Sequence, residues 1–118
     1  MIKGTSGGVC GFAISKGSGT NYLSINLFDS AIRAYDYASG TWLTSELSYG
    51  GITNYHKVKL EITNNECAVT VYNESGTQLT TASFTLPSNY QNTTVYPCIA
   101  TYTANKTTYF KNLMIKPL

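Results

Sequence analysis

A chain of 118 residues, 42% of them hydrophobic, is long enough to bury one core and fits a single domain over residues 1–118. Charged residues make up only 12%, about half the usual share, and Ser, Thr and Asn supply about a third of the chain in their place. The net charge of +2 comes from seven scattered lysines and Arg33 against six carboxylates, which excludes a basic stripe for nucleic acid; no apolar run reaches the length needed for membrane insertion.

The elements read in order as short strands punctuated by turns. Val9 to Ser15 is the first strand, and Lys16 to Thr20 turns the chain. Asn21 to Phe28 alternates: Leu23, Ile25 and Leu27 point one way, Tyr22, Ser24 and Asn26 the other. Asp29-Ser30 breaks it. Ala31 to Ala38 follows and joins Thr41 to Leu47 through Ser39-Gly40, a hairpin signal. Ser48 to Asn54, with Gly50-Gly51, reads as a loop.

Tyr55 to Thr63 is the clearest strand, with Val58, Leu60 and Ile62 inward and Lys57, Lys59 and Glu61 outward. Asn64 to Glu66 turns into Cys67 to Tyr72, where Val69 and Val71 repeat the inward pattern. Asn73 to Gly76 is a turn, Leu79 to Leu86 a strand closed by Pro87, and Ser88 to Thr94 a polar loop. Val95 to Thr103 and Thr108 to Lys116 end the chain. About nine strands and no helix predict an all-β fold, an antiparallel two-sheet β-sandwich.

Three cysteines, Cys10, Cys67 and Cys98, form neither an even disulfide set nor a zinc spacing. They are expected to be buried free thiols, which fits folding in a reducing cytosol. The start, Met1 to Gly8, has no apolar signal core.

Several segments resemble the concanavalin A-like, or laminin G-like, jelly-roll group. The matching residues are Gly11-Phe12, Asn21-Tyr22, the Tyr-His-Lys-Val-Lys-Leu strand from Tyr55 to Leu60, the valine hairpin from Val69 to Gly76, and the Phe-Lys-Asn-Leu-Met-Ile-Lys-Pro-Leu ending from Phe110 to Leu118. That ending is common in phage tail and cell-surface sandwich domains. The resemblance implies a jelly-roll module of a longer chain, on a virion or cell surface. It departs at the N-terminus: such domains carry one more strand before the Gly-Phe segment, and Met1 to Gly8 is too short and Gly-rich to supply it. A neighbouring chain or lost residues would then complete an edge.

Catalytic chemistry has little to work with. The glucanases of the group carry a Glu-x-Asp motif that is absent here, and Asp29 and Asp36 lie at a strand start and a strand end. His56, the single histidine, occupies the strand-entry position and reads as structural. No acidic cluster offers a calcium site, so no metal and no cofactor is expected.

Binding has better materials. Arg33, Tyr35 and Tyr37 share one strand face, Trp42 lies across the Gly40 turn, and Tyr22 and Asn26 lie on the non-core face of the preceding strand. Aromatic faces stack on sugar C–H surfaces while amides bond hydroxyls, so these six residues are the candidate carbohydrate contacts. The expected function is a non-catalytic carbohydrate- or cell-surface-binding module of a phage tail, receptor-binding protein or adhesin. Its partners would be a host-surface glycan, with parent-chain domains or a second copy as further contacts. A structural assembly domain and a small glycan-active enzyme are the competing readings.

Overall fold

The computed structural model describes residues 1–17, 19 and 21–116. The expected turn residues Ser18 and Thr20, and the final Pro117-Leu118 of the quoted ending, lie outside them. Eleven strands form among the described residues: β1 (Ile2–Lys3), β2 (Cys10–Ser15), β3 (Tyr22–Leu27), β4 (Ala31–Asp36), β5 (Thr41–Trp42), β6 (Leu47–Ser48), β7 (His56–Thr63), β8 (Glu66–Asn73), β9 (Gln78–Thr85), β10 (Tyr96–Thr101) and β11 (Tyr109–Phe110). One sheet has the order β11-β1-β7-β8-β9; the other has β10-β2-β3-β4-β5, with β6 also pairing β4. Every described pairing is antiparallel. The fold is the predicted all-β two-sheet sandwich.

The core follows from the alternation. Leu23, Ile25 and Leu27 from β3 and Ile32 from β4 meet Val69 and Val71 from β8, all at most 1% exposed. Each such side chain contributes about 1.5–3 kcal/mol relative to exposure. The β7–β8 hairpin turns on Asn64 and Asn65 at φ 50° and 62°, the left-handed pair of a type I′ turn, which matches strand twist.

Several boundaries differ from expectation. The expected strand Thr41 to Leu47 is two short bridges to β4, because Thr44 hydroxyl accepts the Ala34 N–H at 3.0 Å and takes a ladder position. Loop residues Tyr49 and Ile52 are core, each 2% exposed. The polar loop Ser88 to Thr94 contains a 3₁₀ turn, Ser88–Tyr90, with Tyr90 buried. Met1 to Gly8 does supply a strand: β1 is only two residues long, yet it is paired on both sides, to β7 and to β11. The expected strand Thr108 to Lys116 pairs only at Tyr109–Phe110. Asn112 then adopts φ 55° and breaks the alternation.

The expectation of three buried thiols is corrected at Cys98. Cys10 and Cys67 are buried, whereas Cys98 is exposed, because β10 is an edge strand and its register with Ala13 turns that side chain to the outer face. Burial pushes the Cys67 thiol up to about 11 and raises that of Cys10. A thiol-reactive dye is therefore expected to label Cys98 alone in the folded protein and all three cysteines in denaturant. Labelling at Cys10 or Cys67 without unfolding, read by peptide mass, would contradict this core.

Candidate functional site

The six predicted contacts lie on the outer face of the β10-β2-β3-β4-β5 sheet. Antiparallel register sets Asn26 of β3 opposite Arg33 of β4 on one side and Gly11 of β2 on the other. Gly11 has no side chain to cover its neighbour, so the sheet sinks there. A β-carbon on Gly11 would lie 2.3 Å from the Ile25 carbonyl oxygen, so the position admits only glycine without backbone movement.

Aromatic rings wall this low point. Tyr22 stacks on Tyr37 with centroids 4.3 Å apart, and Tyr37 stacks in turn near Tyr102 at 5.6 Å. Tyr35 meets Tyr37 edge-on at 4.6 Å and packs against Trp42 at 4.6 Å. Such pairs add about 0.5–1.5 kcal/mol each beyond burial and hold the rings in place. They enclose a shallow depression of about 340 Å³ with Asn26 in its lining beside Tyr35, Tyr37, Trp42 and Tyr102.

The polar groups are sparse and specific. Asn26 is 2% exposed; its Nδ2 donates to the Tyr37 hydroxyl at 3.3 Å, and its Oδ1 has no hydrogen-bond partner among the described residues. Turning the amide over only exchanges which atom lacks a partner. The Tyr102 hydroxyl donates to Ser24 Oγ at 2.8 Å, and burial, partly offset by that bond, pushes its pKa up to about 12. None of the residues lining the depression is charged.

The predicted residues divide into two groups. Asn26, Tyr35, Tyr37 and Trp42 line the depression. Tyr22 stands behind Tyr37 as a prop. Arg33 shares the face but is committed elsewhere: Nε donates to the Thr44 carbonyl at 2.9 Å, and the guanidinium sits 4.3 Å from the Trp42 ring centroid, bracing that ring. Tyr102 and Phe28 are lining residues that the sequence reading missed. Tyr102 follows the end of β10 and is tied back by its N–H to the Val9 carbonyl at 2.8 Å. Strand alternation from Tyr96 would have marked it as outward; nothing local marked it as part of the wall.

The other candidate groups are used structurally. Asp36 is buried on the core side, accepting the Tyr90 hydroxyl at 2.7 Å, Ser39 Oγ at 2.7 Å and the Ala38 N–H at 3.1 Å. Asp29 accepts the Gly7 N–H at 2.8 Å. His56 is buried, with Nδ1 2.9 Å from the Asn54 carbonyl oxygen and its ring packed near Tyr49. Among the described residues no group of three or more His, Cys, Asp or Glu side chains could hold a metal.

Tyr49, Tyr90 and Tyr102 all have pKa values raised first by burial. A raised phenol pKa means the fold favours the neutral form. The stability this contributes is present below about pH 10 and is lost as pH rises through the folded values. The protein is expected to unfold cooperatively above about pH 10, with a late phenolate absorbance step coincident with loss of circular dichroism. Full phenolate absorbance in a chain that stays folded would refute the burial assignments.

The site is thus an uncharged aromatic depression on one face of an all-β sandwich. No protein-family model matches the chain, nor does any of the curated proteins or solved structures.

Proposed function

We propose that this chain is a non-catalytic carbohydrate-binding module with a concanavalin A-like jelly-roll sandwich. The observation that carries the reading is Asn26: a buried amide with one atom lacking a partner, set among aromatic walls. A buried polar group left unpaired costs about 1–3 kcal/mol, a cost a ligand hydroxyl would remove. The faces of Trp42 and Tyr35 suit the C–H surface of a pyranose, and Trp42 is still 42% exposed at the rim. The uncharged lining favours a neutral sugar over an acidic one. Asp36 and Asp29 are both engaged away from the depression, which supports binding without turnover. The setting we propose is a virion or cell-surface protein, a phage tail component or an adhesin, with a host glycan as its partner.

A glycan array of neutral surface polysaccharides tests the reading. Binding should fall at least tenfold in Trp42→Ala and Tyr35→Ala while both variants keep the circular dichroism of the parent. Absence of binding to every polysaccharide, or binding indifferent to both substitutions, would sink it. The assembly-domain reading draws on a different feature, the part of β7 from Val58 to Thr63, which pairs only with β8 among the described residues.

A further inference from the structure

The two outer faces of the sandwich differ in charge. On the sheet opposite the depression, Lys3 of β1 stands across from Tyr109 of β11, and Lys57 of β7 across from Tyr72 of β8. Ile2 and His56, which pair with each other, are both buried, so alternation turns Lys3, Lys57 and Lys59 outward. Tyr55, just ahead of β7, falls beside Lys3 by the same register. Ammonium groups and phenol rings therefore alternate across this face. Lys3 Nζ lies 4.6 Å from the Tyr55 ring centroid and 5.3 Å from that of Tyr109. Lys111 Nζ lies 4.3 Å from the Tyr55 centroid, and Lys57 Nζ 5.4 Å from that of Tyr72. The rings hold the cations in place without neutralising them.

Carboxylates offset only half of this charge. Glu61 holds Lys59 at 2.9 Å, and Glu74 holds Lys111 at 2.9 Å. Lys3 and Lys57 have no ion-pair partner among the described residues. Four lysines against two glutamates leave a surplus equal to the formal net charge of the whole chain, +2, because the other four basic and four acidic side chains cancel. Lys57, Lys59 and Lys111 are exposed.

The chemistry of the face discriminates among polyanions. The single arginine, Arg33, lies on the other sheet, so no planar fork is present here to grip a phosphate in two places. Each of the three rings already has an ammonium group against it, unlike the bare aromatic platforms on which unpaired bases stack. The phenol hydroxyls between the charges donate to and accept from neutral hydroxyl groups. A chain whose anionic groups alternate with hydroxyls complements both features. We propose that this lysine–tyrosine face binds an acidic polysaccharide, with polymer carboxylates on Lys3 and Lys57 and polymer hydroxyls on the tyrosines.

Titration with polygalacturonate and with its fully methyl-esterified form, the same backbone without the charge, tests this. The acid should bind and the ester should not. Affinity for the acid should fall at least about tenfold between about 0.05 and about 0.5 M salt. Lys57→Gln should weaken binding by about three- to tenfold, whereas Lys16→Gln, an equal charge change at an exposed lysine in the β2–β3 turn, should weaken it less than about twofold. No binding of the acid, equal affinity for acid and ester, or equal losses from the two variants overturns the proposal. So does tighter binding, at the same salt, to polyglutamate, duplex DNA or anionic lipid vesicles, because the occupant would then belong to another class. Binding of neutral glycans is read separately through Trp42→Ala, since the depression lies on the other sheet.

Discussion

Gly11→Ala is expected to cost about 3 kcal/mol or more, a large part of the 5–15 kcal/mol that holds a domain together. The added β-carbon would lie 2.3 Å from the Ile25 carbonyl oxygen, 3.1 Å from the Ile25 carbonyl carbon and 3.1 Å from Ser24 Oγ. Two of these are backbone atoms of the adjacent β3, so no rotamer change relieves the clash. The strands must part, and the register from Cys10↔Leu27 to Ser15↔Tyr22 weakens with them. Gly76→Ala is the comparison: it meets nothing within 4 Å, and its φ of 94° should cost only roughly 1–2 kcal/mol of backbone strain. Urea midpoints of the two variants separate crowding from strain. Equal losses would mean that β2 does not approach β3 as closely as described.

Asn26→Leu is expected to do the opposite to stability and the most damage to binding. Removing the buried amide relieves an unpaired polar atom, so the variant should be as stable as the parent or more stable by up to about 2 kcal/mol. The Tyr37 hydroxyl loses its 3.3 Å donor, but it belongs to a half-buried side chain. Glycan affinity should fall about 10- to 100-fold, since a ligand hydroxyl buried against Leu would itself be unpaired. Thermal melting and titration on one preparation give both answers. A variant that loses stability and keeps affinity would mark Asn26 as a structural residue and remove the main support for the binding reading.

Much of the scaffold was legible because one physical signal repeats. Leu23-Ile25-Leu27, Val58-Leu60-Ile62 and Val69-Val71 alternate with polar residues, and that period leaves a strand as the simplest choice. The places that were not legible are those where pairing depends on distant partners. A two-residue strand such as β1 has no periodicity to detect; it exists because β7 and β11 hold it from both sides. Thr108 to Lys116 has a strand's composition, yet it forms a strand only at Tyr109–Phe110, because a strand needs an occupied neighbour as well as propensity. In the site, alternation placed Tyr22, Asn26, Tyr35 and Tyr37 on one face. Two things depended on contacts that spacing does not encode: the engagement of Arg33 with Thr44 and Trp42, and the arrival of Tyr102 from 65 or more residues later in the chain.

Trp42 is the single tryptophan of the chain, and its position makes the depression optically addressable. Tyr35 packs against the indole at a tilt, and the Arg33 guanidinium sits against the ring, while 42% of the residue remains in solvent. Its emission therefore reports the wetness of the rim and little else. A molecule settling there would strip water from the ring and shift the spectrum to the blue, without any label, in the unaltered protein.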